Sequence, residues 1–433
     1  MSSGGAERPV KFVARPSTPT PSAPAETGSA PPDLVARYLR PGTLQLGEPP
    51  PLSLYVHLPW CLAKCPYCDF NSHALPSGGG LPEKRYTDAL VTDLEAALPQ
   101  VWGRPVMSIF IGGGTPSLFS PEGIDRLLAA VRARLPLQPG CEITLEANPG
   151  TFERERFKAF AAAGVTRLSI GVQSFDDVML QRLGRVHDAA QARAAVAEAA
   201  QAFATFNLDL MYALPGQGLA DLGRDLDTAL AFNPPHLSIY HLTVEPNTRF
   251  AVAPPPNLPD DDLASDMLDL IAQRTAQVGL ERYEVSAFAR AGHRSRHNLN
   301  YWQFGDYLGI GAGAHGKLSY PHRVLRQVRW REPTAYMARA EAGQAMSNDE
   351  EVPRAQLPFE FMLNALRLRE GFALADYQAR TGLAPSTLSK PLALAEAKGL
   401  IARDFERVWP TARGFDFLSD LQALFLPEDR AEV

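Results

Sequence analysis

Residues 54–73 read LYVHLPWCLAKCPYCDFNSH, an apolar, strand-like run followed at once by Cys61, Cys65 and Cys68. Cys141 is the one further cysteine in a chain of 433 residues. A C-x3-C-x2-C triplet supplies three thiolates from one short loop. An iron–sulfur cube takes one ligand per iron, so three thiolates leave one iron open to bind a small molecule. Two other readings stand beside it. His73 could complete a Cys3His set of the kind that holds structural zinc, although zinc fingers usually pair two separated arms and no second arm follows here. Alternatively, the cysteines are inert buried side chains.

Outward from this loop, short apolar runs alternate with helical stretches. The expected strands are LYVHL (54–58), VMSIFIGG (106–113), EITLEAN (142–148), RLSIGVQS (167–174), FNLDLMYALP (206–215), HLSIYHL (236–242) and RYEVSAF (282–288). Amphipathic helices are expected near 83–98, 121–135, 154–163, 188–203, 219–232 and 261–278. Near-continuous apolar strands joined by helices imply a parallel sheet covered on both faces. The fold class is therefore α/β: a partial (β/α) barrel occupying residues 49–290, with its site at the C-terminal strand ends. Residues 1–48, including STPTPSAPAETGSAPP, are expected to form a disordered Pro/Ser/Ala-rich tail. Residues 291–350 are read as a segment carrying HNLNYW plus a linker, and 351–433 as a winged-helix-like α+β domain.

Net charge is −6, which gives no global electrostatic case for nucleic-acid binding. No run approaches the roughly 18 apolar residues of a membrane span. With no signal-like N-terminus and few cysteines, the expected compartment is the cytoplasm. Peripheral membrane association and a homodimer stay open.

At the expected strand ends lie GGGTPS (112–117), Glu146, Gln173, Arg185 and Asp209. A glycine run lets backbone amides line a ligand. A charged group on a buried strand needs a ligand or a partner, and an ion pair of Arg185 with Glu146 or Asp209 is the plain alternative.

With Tyr67 just before Cys68, the triplet resembles the C-x3-C-x-aromatic-C signature of the radical S-adenosylmethionine (SAM) superfamily. From about residue 52 onward the chain resembles the coproporphyrinogen oxidase-like branch, which includes the oxygen-independent coproporphyrinogen III oxidase and the HemW-type heme chaperones. The resemblance implies a 4Fe–4S cluster on Cys61, Cys65 and Cys68, with SAM chelating the fourth iron. It places Gly113, Gly114 and Thr115 at the methionine amine. It also places Tyr55, Glu146, Gln173, Arg185, Asp209 and Thr243 along one or two SAM sites. If SAM is cleaved, a one-electron reductant is a further partner. The oxidase carries a fourth cysteine where this chain has Phe70. HNLNYW resembles the HN-x-x-YW signature of HemW-type proteins and implies heme, with His297 as axial ligand, Tyr301 and Trp302 as covering faces and His315 as a second candidate. The implied function is a heme chaperone delivering heme to apo-hemoproteins such as respiratory ones. The alternative is an oxidase that decarboxylates porphyrinogen propionates.

Overall fold

A computed structural model describes residues 42, 44–75, 80–149 and 155–427. The strands, in chain order, begin with β1 (Leu52–Leu58), β2 (Trp60–Cys61), β3 (His73–Ala74), β4 (Val106–Gly113) and β5 (Leu137–Ala147). Next come β6 (Arg167–Gln173), β7 (Thr205–Tyr212), β8 (His236–His241), β9 (Glu281–Arg282) and β10 (Ala287–Ala289). The series continues with β11 (Asp306–Ile310), β12 (His315–Tyr320), β13 (Arg323–Arg329) and β14 (Met346–Glu351). One sheet runs β14-β13-β12-β11-β1-β4-β5-β6-β7-β8-β10-β9. Its central strands, β11, β1 and β4 to β8, are mutually parallel. Their C-terminal ends share one rim, and the two flanks are antiparallel. This is a partial barrel left open at both edges.

The central strands are less uniformly apolar than their composition suggests. Leu52, Leu54, Val56 and Leu58 of β1 pack into the main core with Tyr86, Leu90 and Leu94 of the helix Glu83–Ala97. Each large side chain buried in this way contributes about 1.5–3 kcal/mol. The alternate residues Ser53, Tyr55 and His57 face the other way, as the period of two requires. The same alternation puts Arg167, Ser169, Gly171 and Gln173 of β6, and Asn207, Asp209 and Met211 of β7, on the wall of an interior cavity. The inner face is therefore largely polar, with glycine and serine among its residues. It leaves space where larger apolar side chains would fill a barrel.

Three boundaries differ from the sequence reading. Most of the expected tail lies outside the described residues, but Leu44 and Leu46 are buried in the C-terminal core. Their amides donate to the His322 and Pro321 carbonyls. The stretch 291–350 is no linker: it supplies β11 to β14 and the helix Arg296–Trp302. RYEVSAF reverses on itself, so β10 runs antiparallel to β8, with the Ser286 amide donating to Glu284 in the turn. Beyond β14, the helices Leu357–Ala365, Leu374–Thr381 and Ser389–Ala397 pack with a small sheet of β15 (Phe372–Ala373), β16 (Ile401–Arg403) and β17 (Arg407–Pro410).

A buried charge cluster ties β11 to β12. Asp306, fully buried, accepts from Lys317 Nζ at 3.1 Å and from the Ser319 amide at 2.8 Å. Arg104 reaches its second oxygen at 2.9 Å. Removing one member of such a set leaves a buried charge uncompensated. Asp306→Ala is expected to cost about 3–5 kcal/mol in urea denaturation. Leucine there should be no better, because Lys317 would remain stranded.

Candidate cofactor site at the strand ends

Cys61 ends β2, which pairs with β3 through Trp60–His73 and Cys61–Ala74. This short parallel ladder closes the cysteine loop at its base. All three thiols line a cavity of about 410 Å³ at the open end of the central strands. Each has a polar neighbour: Thr115 Oγ1 donates to Cys61 Sγ at 3.5 Å, Arg185 Nη1 to Cys65 Sγ at 3.5 Å, and Ser72 Oγ lies 3.5 Å from Cys68 Sγ. Asn148 links the first two, giving Nδ2–H to Thr115 Oγ1 at 2.7 Å and taking Arg185 Nη2–H on Oδ1 at 2.5 Å. The arc Cys61–Thr115–Asn148–Arg185–Cys65 thus aims donors at two sulfurs. Burial pushes the Cys61 thiol up, against the Thr115 bond. A bound metal would deprotonate such a thiol outright. Among the described residues no three His, Cys, Asp or Glu converge to hold a metal ion. His73, the candidate for a zinc set, has Nε2 against Asn71 Oδ1 at 3.1 Å. A cube needs no such convergence, because each thiolate meets a different iron.

The glycine turn fits between these parts without room for side chains. Gly113 has φ of 117°, and a Cβ there would meet the His57 ring at 2.6 Å. One on Gly114 would meet the Trp60 carbonyl oxygen at 2.6 Å. His57 is held as one tautomer: Nε2–H donates to the Asn71 carbonyl at 3.0 Å, so Nδ1 accepts from Tyr55 at 2.9 Å. Burial lowers its pKa to about 4, keeping it neutral. It braces the glycine turn against the cysteine loop. Tyr55 of β1, expected on the cavity, instead stacks on Phe110 of β4 and reaches the site through His57.

Glu146, Gln173, Asp209 and Thr243 all line the cavity, as do Gly113, Gly114 and Thr115. The Gly113 amide donates to Glu146 at 3.0 Å. Burial, with Asp209 nearby, raises Glu146 to about 7. Burial likewise raises Asp209 to about 6, against hydrogen bonds from Asn207 and Ser169. Two buried acids beside a glycine turn, neither of them ion-paired among the described residues, could receive a cation. Arg185 does not pair with either acid; its partners are Asn148, Gly171 and Cys65. Nor does it stand on a strand. It follows the helix Asp177–Arg182 and reaches back, leaving its buried Nε without a partner.

Gln173 is held at φ of 67°, past an irregularity in the β6–β7 register. The left-handed conformation costs a non-glycine residue about 1–2 kcal/mol and here keeps the amide on the cavity wall. Gln173→Gly is expected to stabilise the ligand-free fold by about 1 kcal/mol by thermal melting while weakening ligand binding.

Of the expected heme residues, His297, Tyr301 and Trp302 gather on one helix, with His297 turned into a buried cluster. His297 is 1% exposed, with Nδ1 3.0 Å from Ser108 Oγ and Nε2 3.2 Å from Tyr301 Oη. Desolvation lowers it to about 3. Both ring nitrogens are engaged, so as folded it is not an open axial ligand. Tyr301 packs edge-on against His297 and Tyr307, and Trp302 carries the Arg367 guanidinium 4.2 Å from its ring centroid. From this helix it is Asn298 that lines the cavity. His315 is exposed where β12 starts, at the same rim as the cysteine loop.

The chain matches the radical SAM superfamily model over residues 55–229 and the HemN C-terminal domain model over 352–417. The solved coproporphyrinogen III oxidase (HemN) from Escherichia coli shares the fold, with a TM-score of 0.74 over 91% of this chain and 98% of that one, at 22% identity. The proteins named heme chaperone HemW from Haemophilus influenzae and from Escherichia coli K12 are 46% and 47% identical, each over 88% of this chain and 99% of their own length. This chain belongs to the HemW family. The mouse protein named radical S-adenosyl methionine domain-containing protein 1, mitochondrial, is 43% identical over 65% of this chain and 66% of its own.

For a HemW-family chain, the sequence reading missed Asn148, Ser169, Asn207, Ser238 and His236, all on the cavity wall. A signal was present. In RLSIGVQ, FNLDL and HLSIYH every second residue is polar or glycine, the period of a strand with a wet inner face.

Proposed function

We propose that this chain is a heme chaperone that binds a 4Fe–4S cluster and SAM, carries heme, and delivers it to apo-hemoproteins such as respiratory ones in the cytoplasm. The observation that carries this reading is the 46–47% identity to proteins named heme chaperone HemW along 99% of their length. Cys61, Cys65 and Cys68 would hold the cluster. Gly113, Gly114, Thr115 and Glu146 would receive the amine of SAM, while Gln173, Arg185 and Asp209 complete its wall. When bound, the reduced cluster supplies single electrons to SAM. The chain's own part is to keep water out, orient the ligand through the glycine turn, and set charge with two acids. Phe70 stands where the oxidase carries a fourth cysteine. Together with Leu62, Val186 and Tyr240 it forms an exposed apolar lip on the cavity, suited to one face of a macrocycle. Of the heme candidates, His315 is the exposed one, and it is the ligand this reading favours.

The deciding experiment gives reconstituted protein coproporphyrinogen, SAM and reductant, and in parallel heme followed by an apo-cytochrome. Heme transfer without vinyl product is expected. Catalytic formation of vinyl product would return the chain to the oxidase reading.

The acids make SAM binding depend on pH. Both keep their protons to higher pH in the folded chain than in the unfolded one. The ligand-free protein therefore loses stability as pH rises from about 4 to about 7. Cationic SAM favours the ionised acids, so its binding releases protons and tightens over that window, levelling above about 7.5. Calorimetry in two buffers of different ionisation heat checks the release. Glu146→Gln should flatten the profile at normal iron content.

A further inference from the structure

Below the acids, the cavity continues toward the opposite end of the strands. Its wall there is Thr144 on β5, Arg167 and Ser169 on β6, Asn207 on β7, and His236 and Ser238 on β8, all buried. Most of these groups satisfy one another. Asn207 donates to Ser169 Oγ and Asp209 Oδ1, each at 2.8 Å, and its own oxygen meets His236 Nδ1 at 2.6 Å and Ser238 Oγ at 3.1 Å. His236 Nε2 lies 2.9 Å from Tyr283 Oη.

Two groups are left over, and they are neighbours. Thr144 and Arg167 stand directly opposite each other across β5 and β6. Thr144 is 1% exposed and Arg167 2%, and neither Thr144 Oγ1 nor Arg167 Nη2 has a hydrogen-bond partner. Arg167 Nη1 is occupied, donating to the His293 carbonyl at 3.0 Å. The nearby carboxylates share its charge but do not hydrogen-bond Nη2: Glu142 accepts the Arg296 and His297 amides on Oε1, and Asp209 accepts from Ser169 and Asn207. A guanidinium cannot shed its proton, so burial leaves Nη2 with N–H groups that nothing accepts. Beside it is a hydroxyl free to donate.

We propose that this end of the cavity is a subsite for one carboxylate on a short aliphatic arm, one oxygen taking Arg167 Nη2–H and the other Thr144 Oγ1–H. A single negative charge suits it better than phosphate, because Glu146 and Asp209 stand over the approach and would repel a dianion. Guanidinium N–H groups match carboxylate geometry. The arm is either the side chain of a tetrapyrrole or a free short-chain acid; only the first source rests on the heme-chaperone reading.

The test uses the full chain with two probes. Propionate is compared with neutral propionamide by thermal shift at constant ionic strength. Mesoporphyrin is compared with its dimethyl ester by fluorescence titration. Thr144→Val, which keeps shape and deletes the stranded hydroxyl, should melt higher than wild type without ligand. It should also weaken carboxylate binding about tenfold, the scale of one charge-assisted hydrogen bond. Arg167→Lys should weaken it further. A propionate shift lost in both variants marks a free-acid site. Preference for mesoporphyrin over its ester, lost in both variants, marks a tetrapyrrole arm. Equal binding of diacid and ester with no propionate shift removes the subsite and leaves tetrapyrrole binding standing. A propionate response without tetrapyrrole binding keeps the subsite and removes the heme reading. Carboxylate responses that survive in Thr144→Val and Arg167→Lys overturn the assignment.

Discussion

Cys61→Ala, Cys65→Ala and Cys68→Ala each lose the iron–sulfur chromophore after anaerobic reconstitution, whereas Cys141→Ser keeps about four iron per chain. The expectation rests on position. The three loop thiols line one cavity, each with a polar side chain at its sulfur. Cys141 is absent from that wall, in the N-terminal half of β5 away from Glu146, and burial raises its pKa to about 11. Iron analysis and the visible spectrum decide the matter. Iron lost only from Cys141→Ser would refute the cluster assignment. Heme binding should survive in the three alanine variants, since the heme candidates are different residues.

The second large effect separates two histidines. His297→Ala removes a buried ring, strands Tyr301 Oη and leaves Ser108 Oγ with its bond to Ser53 Oγ alone, costing about 2–4 kcal/mol in chemical denaturation. Where that variant folds, its heme spectrum should match wild type. His315→Ala should leave stability within about 0.5 kcal/mol, because the residue is exposed. Its Soret band should shift or vanish. The reverse pattern would mean that heme binding opens the His297 cluster and that the burial described here belongs to the heme-free state alone.

Legibility varied by residue for reasons that can be named. Cys61, Cys65 and Cys68 are close in sequence, Gly113 and Glu146 sit where strands end, and Asp209 stands on the inward phase of β7, so their places follow from chain order and the alternating pattern. Arg185 enters from a loop beyond a short helix, and no periodicity carries that information. Asn148 stood within a recognised strand end, but its link between Thr115 and Arg185 exists only once three segments meet. His297 shows the opposite failure. Its neighbours Tyr301 and Trp302 share one turn of helix as their spacing requires. Spacing does not say which way that turn faces, and the packed helix directs Asn298 to the cavity and His297 to Ser108.

The sequence by itself determined the order of the strands β1 and β4 to β8 with the helices between them, their parallel pairing and the cysteine loop after the first strand, but not β11 to β14. Each of these depends on local periodicity or on residues a few positions apart. Tertiary structure alone decided what the inner face encloses. The hydrogen-bond arc over Cys61 and Cys65, the ionisation of Glu146 and Asp209, and the unmatched pair Thr144 and Arg167 all depend on burial and cross-strand register. Strands distant in sequence must close around a common space before any carboxylate there loses its water, or any guanidinium its acceptor.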